Sequence, residues 1–252
     1  SMVVAPSDHL ITKEMEFLNA IERGLHFVEG SNHLLTLGIK PNRPETGYGY
    51  IQASDEGDAY FKKVKTFTEK PNLEMATIFM QSGEFFWNSG VFMWSVQTID
   101  QAFKDFLPEI AQKFESGMSY MNTDKEQEFI DEMFPSCQNI SIDYGIMEHA
   151  QSVYVLCGDF GWSDLGTWGA LCDLSTPDAD NNVVLKCQAL TYDCKDNIVV
   201  LPEGKLAVLH DLEGYIVVES DNALLVCKRT DEQRIRQFVN DVSMLPESEK
   251  FI

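Results

Sequence analysis

Two aspartates, Asp8 and Asp164, stand where a strand gives way to a helix. Asp8 follows the short apolar run Val3-Val4-Ala5. Asp164 lies in the glycine-rich stretch Gly158-Asp159-Phe160-Gly161-Trp162-Ser163-Asp164-Leu165-Gly166. In open α/β sheets the carboxyl ends of strands carry the chemistry. Two carboxylates brought there from distant segments can clamp Mg2+, a hard cation that takes oxygen ligands and few of them from protein. Each Asp also has a plainer reading as a helix cap or turn residue, and taken singly that reading is favoured. Asp159 is the neighbour most easily mistaken for Asp164, and His9 reads as structural.

A second set of residues suits a phosphorylated, hydroxyl-rich ligand. In Glu69-Lys70-Pro71 the Lys is a point charge that can meet a phosphate, and the Glu can accept hydrogen bonds from two hydroxyls. Pro71 is expected to push Lys70 into an extended conformation. The competing reading is an exposed Glu-Lys pair beside a turn. Gly47-Tyr48-Gly49-Tyr50 lacks the third glycine and the helix of a dinucleotide loop. Its glycines instead permit close backbone approach, with Gly49 the candidate contact. Asn88, in Trp87-Asn88-Ser89-Gly90, carries both donor and acceptor, although the same four residues read equally as a hairpin turn. Asp143 opens Ile142-Asp143-Tyr144-Gly145-Ile146-Met147-Glu148 as a helix cap or as a further site residue.

Composition narrows the partners. A net charge of −21 over 252 residues argues against nucleic acid, which requires a basic footprint. The same charge means that any bound phosphate must be neutralised locally, by a few Lys or Arg and a divalent cation. No apolar run approaches the ~20 residues that span a bilayer, so no membrane partner is expected. No charged segment followed by an apolar one opens the sequence as given, so no secretory signal is expected. The six cysteines form no CxxC pair, and buried free thiols in a cytoplasmic protein are the expectation.

These residues must be held by a framework. A helical period over 12–28, with Thr12 as cap and Gly30 as stop, lies between Val3-Val4-Ala5 and the apolar run 34–39. That is the rhythm of a βαβ unit. Strands are expected at 60–68, 90–96 and 152–157, and helices at 72–80, 97–116, 124–134, 143–150 and 166–174. After Thr176 the chain changes to short β runs separated by turns, the spacing of a solenoid or small sandwich. Val183, Ile198, Val200, Val208, Ile216, Val218, Leu225 and Val226 are its expected core. Thr230 then caps a closing helix to about residue 242. The domain boundary is placed between 176 and 177.

Five motifs occur in a fixed order: Pro6-Ser7-Asp8-His9-Leu10-Ile11, Glu45-Thr46-Gly47-Tyr48-Gly49-Tyr50-Ile51, Phe67-Thr68-Glu69-Lys70-Pro71, Trp87-Asn88-Ser89-Gly90-Val91-Phe92 and Gly158 to Trp168. Together they resemble the sugar-1-phosphate nucleotidylyltransferases, and most closely the mannose-1-phosphate guanylyltransferases. The resemblance implies a Rossmann-like α/β nucleotide-diphospho-sugar transferase fold with a mixed sheet over 1–176. A small left-handed β-helix-like domain with a C-terminal helix would follow over 177–252. It also implies an enzyme that joins GTP and mannose 1-phosphate into GDP-mannose and pyrophosphate. Within that family Asp8 and Asp164 would hold Mg2+, with carboxylates expected within about 6 Å of each other. Lys70 would contact the sugar phosphate, Gly49, Glu69 and Asn88 the hexose, and Asp143 would pass beneath the sugar. The family carries a glycine-rich nucleotide-binding segment ahead of the first motif. The sequence as given resembles the family without that segment, so the GTP site is expected to be largely absent and this polypeptide alone to be inactive. Alternatives are another hexose-1-phosphate nucleotidylyltransferase, using glucose 1-phosphate with dTTP or UTP, and a non-catalytic sugar-phosphate-binding or regulatory subunit. Pairing into a homodimer through the β domain is a further expectation.

Overall fold

The computed structural model describes residues 1–58, 60–220 and 222–251. By its contacts the chain divides between Trp162 and Ser163 into two compact units. The first carries β1 (Met2–Val4), β2 (Leu10–Ile11), α1 (Glu14–Val28), β3 (Leu34–Ile39), β4 (Tyr50–Gly57), β5 (Phe61–Thr68), α2 (Leu73–Ser82) and β6 (Phe85–Trp94). It continues through α3 (Val96–Phe106), α4 (Pro108–Ser116), α5 (Glu126–Met133) and β7 (Val153–Gly158). β8 (Trp162–Ser163) falls on the division.

The sheet of the first unit is mixed, in the order β1-β6-β3-β7-β5-β4. β3 is buried along its whole length, as a strand with helices on both faces must be. Leu35, Leu37 and Ile39 enter one core with Ala20 and Val28 of α1 and Ala76 and Phe79 of α2. Leu34 joins the other core, with Ile99, Ala102, Leu107, Ile146 and Met147. β4 pairs with both β5 and β6, so the ladders β6-β3-β7-β5-β4 close into a ring. Tyr50 to Gln52 make that closure, opposite Trp87 to Phe85.

Several expectations are corrected. β1 does not lie beside β3: it pairs antiparallel with β6 at the sheet edge, and β6 pairs antiparallel with β3. β1 and β3 therefore run the same way with a strand inserted between them, and the parallel neighbour of β3 is β7. Thr12 does not cap α1. The N-cap is Lys13, and the Thr12 hydroxyl donates to Gly161 O at 3.2 Å. The expected helix at 97–116 is two helices, because Pro108 bars α geometry at Leu107 and starts α4 at its first turn. Trp87 to Gly90 is no hairpin turn but the interior of β6. Thr36 pairs with Phe92 but Gly38 pairs with Asn88, so a two-residue step on β3 spans a four-residue step on β6. The excess forms a bulge, and Gly90 there takes φ +72°, a backbone conformation suited to glycine. Residues 143–147 form a single π turn rather than the start of a longer α-helix.

The second unit holds α6 (Trp168–Leu174), β9 (Val183–Leu185), β10 (Gln188–Tyr192), β11 (Ile198–Val200), β12 (Leu206–His210), β13 (Tyr215–Ser220), β14 (Ala223–Lys228) and α7 (Ile235–Ser243). Thr167 caps α6, accepting from the Ala170 N–H at 3.1 Å. β9, β11 and β13 stack in parallel, with Val183, Ile198 and Ile216 in register, and β10 pairs in parallel with β12. Val183, Ile198 and Ile216 are buried as expected, but Val208 and Val226 are exposed. Side chains alternate along a strand, and Ala207, buried, takes the inward place beside Val208. The closing segment begins with a 3-10 turn, Arg229–Arg234, so Thr230 caps no α-helix. Among the described residues no helix is long and apolar enough to cross a membrane.

Asn182 and Asn197 tie successive parallel strands together from inside. Asn197 donates from its N–H to Asn182 Oδ1 at 3.1 Å and from Nδ2 to Asn182 Oδ1 at 2.9 Å and Leu212 O at 2.7 Å. Its own Oδ1 accepts from the Tyr215 N–H at 2.8 Å. Both side chains are buried. Removing the Asn197 amide strands several buried polar groups at once, each costing about 1–3 kcal/mol. Asn197→Ala is therefore expected to destabilise the second unit by about 3 kcal/mol in urea denaturation. A loss under about 1 kcal/mol would mean that the parallel strands do not depend on this ladder.

Candidate active site

The bulge in β6 aims Asn88 toward the face of the sheet that carries Thr36. There the Asn88 Nδ2 donates to Asp143 Oδ1 at 2.6 Å, and its Oδ1 accepts from the Thr36 hydroxyl at 3.1 Å and the Gly90 N–H at 3.3 Å. The Asn88 N–H donates to Gly49 O at 2.8 Å, which brings the loop before β4 alongside. A side chain at position 49 would overlap Glu69 Oε2 and stand 3.6 Å from Asn88 Cβ. Gly49 thus permits the close approach of Glu69. Lys70 Nζ lies 3.2 Å from Glu69 Oε1 and is half exposed. Gly49, Glu69, Lys70, Asn88 and Asp143 come from four separate stretches of sequence and meet at one place.

Lys70 corrects one expectation. Its φ is +46°, so it is not extended. Proline bars the right-handed α region to the residue before it. The chain must also turn from the end of β5 at Thr68 to the α2 cap at Asn72, whose side chain accepts from the Met75 N–H at 2.9 Å. The left-handed conformation satisfies both demands.

Carboxylates crowd the same place. Burial raises the pKa of Glu148; His149 opposes it, and the nearby charges of Glu69 and Asp143 add lesser upward pushes. Burial raises that of the Tyr144 phenol, with Glu69 and Glu148 adding to it. Sequence patterning singles out neither Tyr144 nor Glu148. The only signal is their place just after Asp143, and a π turn, which often marks a functional site, cannot be read from composition.

The loop that precedes Gly49 is held by ring contacts and the Arg43–Glu45 ion pair. Glu45, buried, accepts from Arg43 Nε at 3.1 Å and from the Gly47 N–H at 2.9 Å. The Arg43 guanidinium lies 5.1 Å from the Trp87 ring. Tyr48 packs edge-on against Trp87 and Trp162, and the Trp162 indole N–H donates to His9 Nδ1 at 3.1 Å. This chain of rings connects the Gly49 loop to the loop of Asp8. Asp8 is exposed, and among the described residues its carboxylate has no hydrogen bond or ion pair. Asp159, by contrast, is taken by Lys13 and the Gly161 N–H, which hold its pKa down against burial. Asp164 belongs to the second unit, where its Oδ1 accepts from the Gly166 N–H at 3.0 Å. Among the described residues no cluster of three or more His, Cys, Asp or Glu stands ready for a metal. The six cysteines are free, but only Cys194 is fully buried. Burial pushes the Cys157 thiol up to about 12.

Residues 1–181 match the protein-family model described as Nucleotidyl transferase. Mannose-1-phosphate guanylyltransferase of Escherichia coli is 32% identical over 250 residues, which cover 96% of this chain and 53% of that protein. Mannose-1-phosphate guanylyltransferase RfbM of Salmonella typhimurium is 34% identical over 242 residues, 95% of this chain and 50% of the relative. The chain thus spans about half the length of the curated relatives it matches. A crystal structure described as mannose-1-phosphate geranyltransferase from Thermus thermophilus superposes with a TM-score of 0.78 at 28% identity, covering 96% of this chain and 69% of that one.

The crowding of carboxylates has a measurable consequence. A carboxyl whose pKa is higher in the fold than in the unfolded chain contributes stability that is full below the unfolded value and lost as pH rises through the folded value. Glu148 is such a group. Glu148→Gln is therefore expected to raise the melting temperature at pH 7 relative to the unaltered chain, and to leave it nearly unchanged at pH 3. An equal shift at both values would contradict the electrostatic reading of this cluster.

Proposed function

Because the chain belongs to the nucleotidyl transferase family, we propose that the protein transfers a nucleotidyl group to a hexose 1-phosphate, specifically GMP from GTP to mannose 1-phosphate, releasing pyrophosphate. The observation that carries this reading is the meeting of Glu69, Lys70 and Asn88 around Gly49. A carboxylate, an ammonium and an amide at one place suit a phosphorylated sugar. The names of the relatives favour mannose and guanine over glucose with thymine or uracil.

A phosphate oxygen of the sugar phosphate attacks the α-phosphorus of the nucleotide in line. The P–O bond to the β-phosphate breaks, and pyrophosphate leaves with that electron pair. The attacking oxygen is already anionic at neutral pH, so no general base is needed. Catalysis is positioning and charge neutralisation. Lys70 holds the sugar phosphate, and its ammonium leaves Glu69 Oε1 to do so. Glu69 and Asn88 select hexose hydroxyls over a backbone that Gly49 keeps open, and Asp143 supports Asn88 from below. Asp8 and Asp164 are the residues assigned to Mg2+. Asp8 fits as a hard oxygen ligand without a protein partner among the described residues, unlike Asp159. Bound there, Mg2+ would offset charge on the reacting phosphates.

The parallel ladders of the second unit support the reading of residues 177–252 as a left-handed β-helix-like domain with a closing helix, the surface through which two copies would pair. The free thiols suit a cytoplasmic setting. Lys70→Ala tests the assignment. Calorimetry on a parent enzyme that carries the glycine-rich nucleotide-binding segment, with each ligand separately in Mg2+, should show mannose 1-phosphate binding weakened about tenfold or more, as for a lost charge-assisted hydrogen bond, with GTP binding little changed. Equal loss for both ligands would overturn the sugar-side role of Lys70.

A further inference from the structure

Thr36 is the one hydroxyl in the buried strand Leu34-Leu35-Thr36-Leu37-Gly38-Ile39, and it is fully inaccessible. A buried hydroxyl must be hydrogen-bonded to be tolerated. Thr36 Oγ1 lies 3.1 Å from Asn88 Oδ1 and 3.2 Å from Val91 O, and its single proton is shared between them. Nothing in the proposed chemistry uses this residue directly.

The orientation of the Asn88 amide follows from its neighbours. Asp143 Oδ1, at 2.6 Å, offers only lone pairs as a carboxylate, so the atom facing it must be the NH2 nitrogen. The Gly90 N–H, at 3.3 Å, offers only a proton, so the atom facing it must be the oxygen. The reversed amide would set oxygen against carboxylate and NH2 against N–H. Two fixed partners of opposite kind therefore select one orientation, and Thr36 adds a second donor to the oxygen. Both acceptor sites of Asn88 Oδ1 are then used, by Thr36 and Gly90, and one Nδ2 proton is used by Asp143. A single N–H is left.

We infer that Thr36 and Asp143 are positioning residues that fix Asn88 as a hydrogen-bond donor only, so that the site reads a hexose hydroxyl through its oxygen at Asn88 and through its proton at Glu69. This inference rests on the hexose-phosphate reading above. Glu69 is acceptor-only as a carboxylate and flanks Gly49 together with Asn88. The two side chains thus divide the hydroxyl between them. A fluorine at the recognised carbon still accepts from Asn88 but gives nothing to Glu69, and a hydrogen serves neither. Thr36 is buried and acts only through the amide.

The test combines the free protein with a ligand series. In 15N spectra of the unliganded 252-residue chain, Thr36→Val should move the Asn88 side-chain NH2 pair while the backbone pattern stays dispersed, and Thr36→Ser should restore it. Mannose 1-phosphate affinity should fall about five- to tenfold in Thr36→Val, the effect of one neutral hydrogen bond, and recover in Thr36→Ser. In a series of deoxy and deoxyfluoro mannose 1-phosphates, one carbon should show fluorine binding better than hydrogen, and that preference should weaken in Thr36→Val, where Asn88 Oδ1 regains an open acceptor site and its amide is held less firmly. Should Thr36→Val fail to fold, Asp143→Ala releases the same amide from its other side and is expected to shift the Asn88 pair and weaken the fluorine preference. A folded Thr36→Val with an unmoved Asn88 pair, or unchanged affinity and an unchanged fluorine preference, would overturn the inference. If the unaltered chain binds no hexose 1-phosphate, the functional reading fails, and the clamp stands or falls on the Asn88 signals alone.

Discussion

Trp87 occupies the position on which the first unit turns. It pairs with Ile39 of β3 on one side and with Tyr50 of β4 on the other, and its ring is buried against Tyr48 under the Arg43 guanidinium. This double pairing closes the ring of ladders and brings the start of β4 against β6. Gly49, one residue before β4, then lies beside Asn88, one residue after Trp87. Tyr50 opposite Thr68 draws in the end of β5 with Glu69 and Lys70. Without the shared pairing at Trp87, the loops that carry candidate site residues would belong to strands with no common neighbour.

Charge is the second constraint. The chain carries a net −21, and at Glu148 burial, with lesser contributions from the charges of Glu69 and Asp143, makes ionisation costlier. Such a place repels an anion unless cations intervene. Lys70 supplies one, and its ion pair with Glu69 holds it near the site before any ligand arrives. The proposed divalent cation completes the neutralisation that a single ammonium cannot.

Local chemistry is legible wherever a residue type leaves few options. Asn72 as the α2 cap, the buried run Leu34 to Ile39, and Gly49 as a point of close approach all follow from side-chain size or capping geometry. Asp143 is visible as a candidate, but its hydrogen bond to Asn88 crosses 55 positions of sequence and has no local signature. The bulge at Gly90 reads as a turn in the sequence, because glycine permits both and only the pairing with β3 decides. Lys70 reads as extended because proline excludes one backbone region without choosing among the rest. β4 escapes the sequence pattern: its apolar alternation breaks down where register shifts bend it. Thr36 is in principle readable, since a lone hydroxyl inside a buried apolar strand demands a partner. Val208 and Val226 show the limit of reading short β runs by composition, since one step along a strand exchanges core for solvent.

The central claim is that the convergence of Gly49, Glu69, Lys70, Asn88 and Asp143 is a hexose 1-phosphate site. A crystal structure of this chain soaked with mannose 1-phosphate tests it most directly. The account predicts the phosphate against Lys70, with hexose hydroxyls on Glu69 and on the Asn88 amide above Gly49. A sugar phosphate bound elsewhere, with Glu69 and Lys70 still paired and Asn88 untouched, would contradict it.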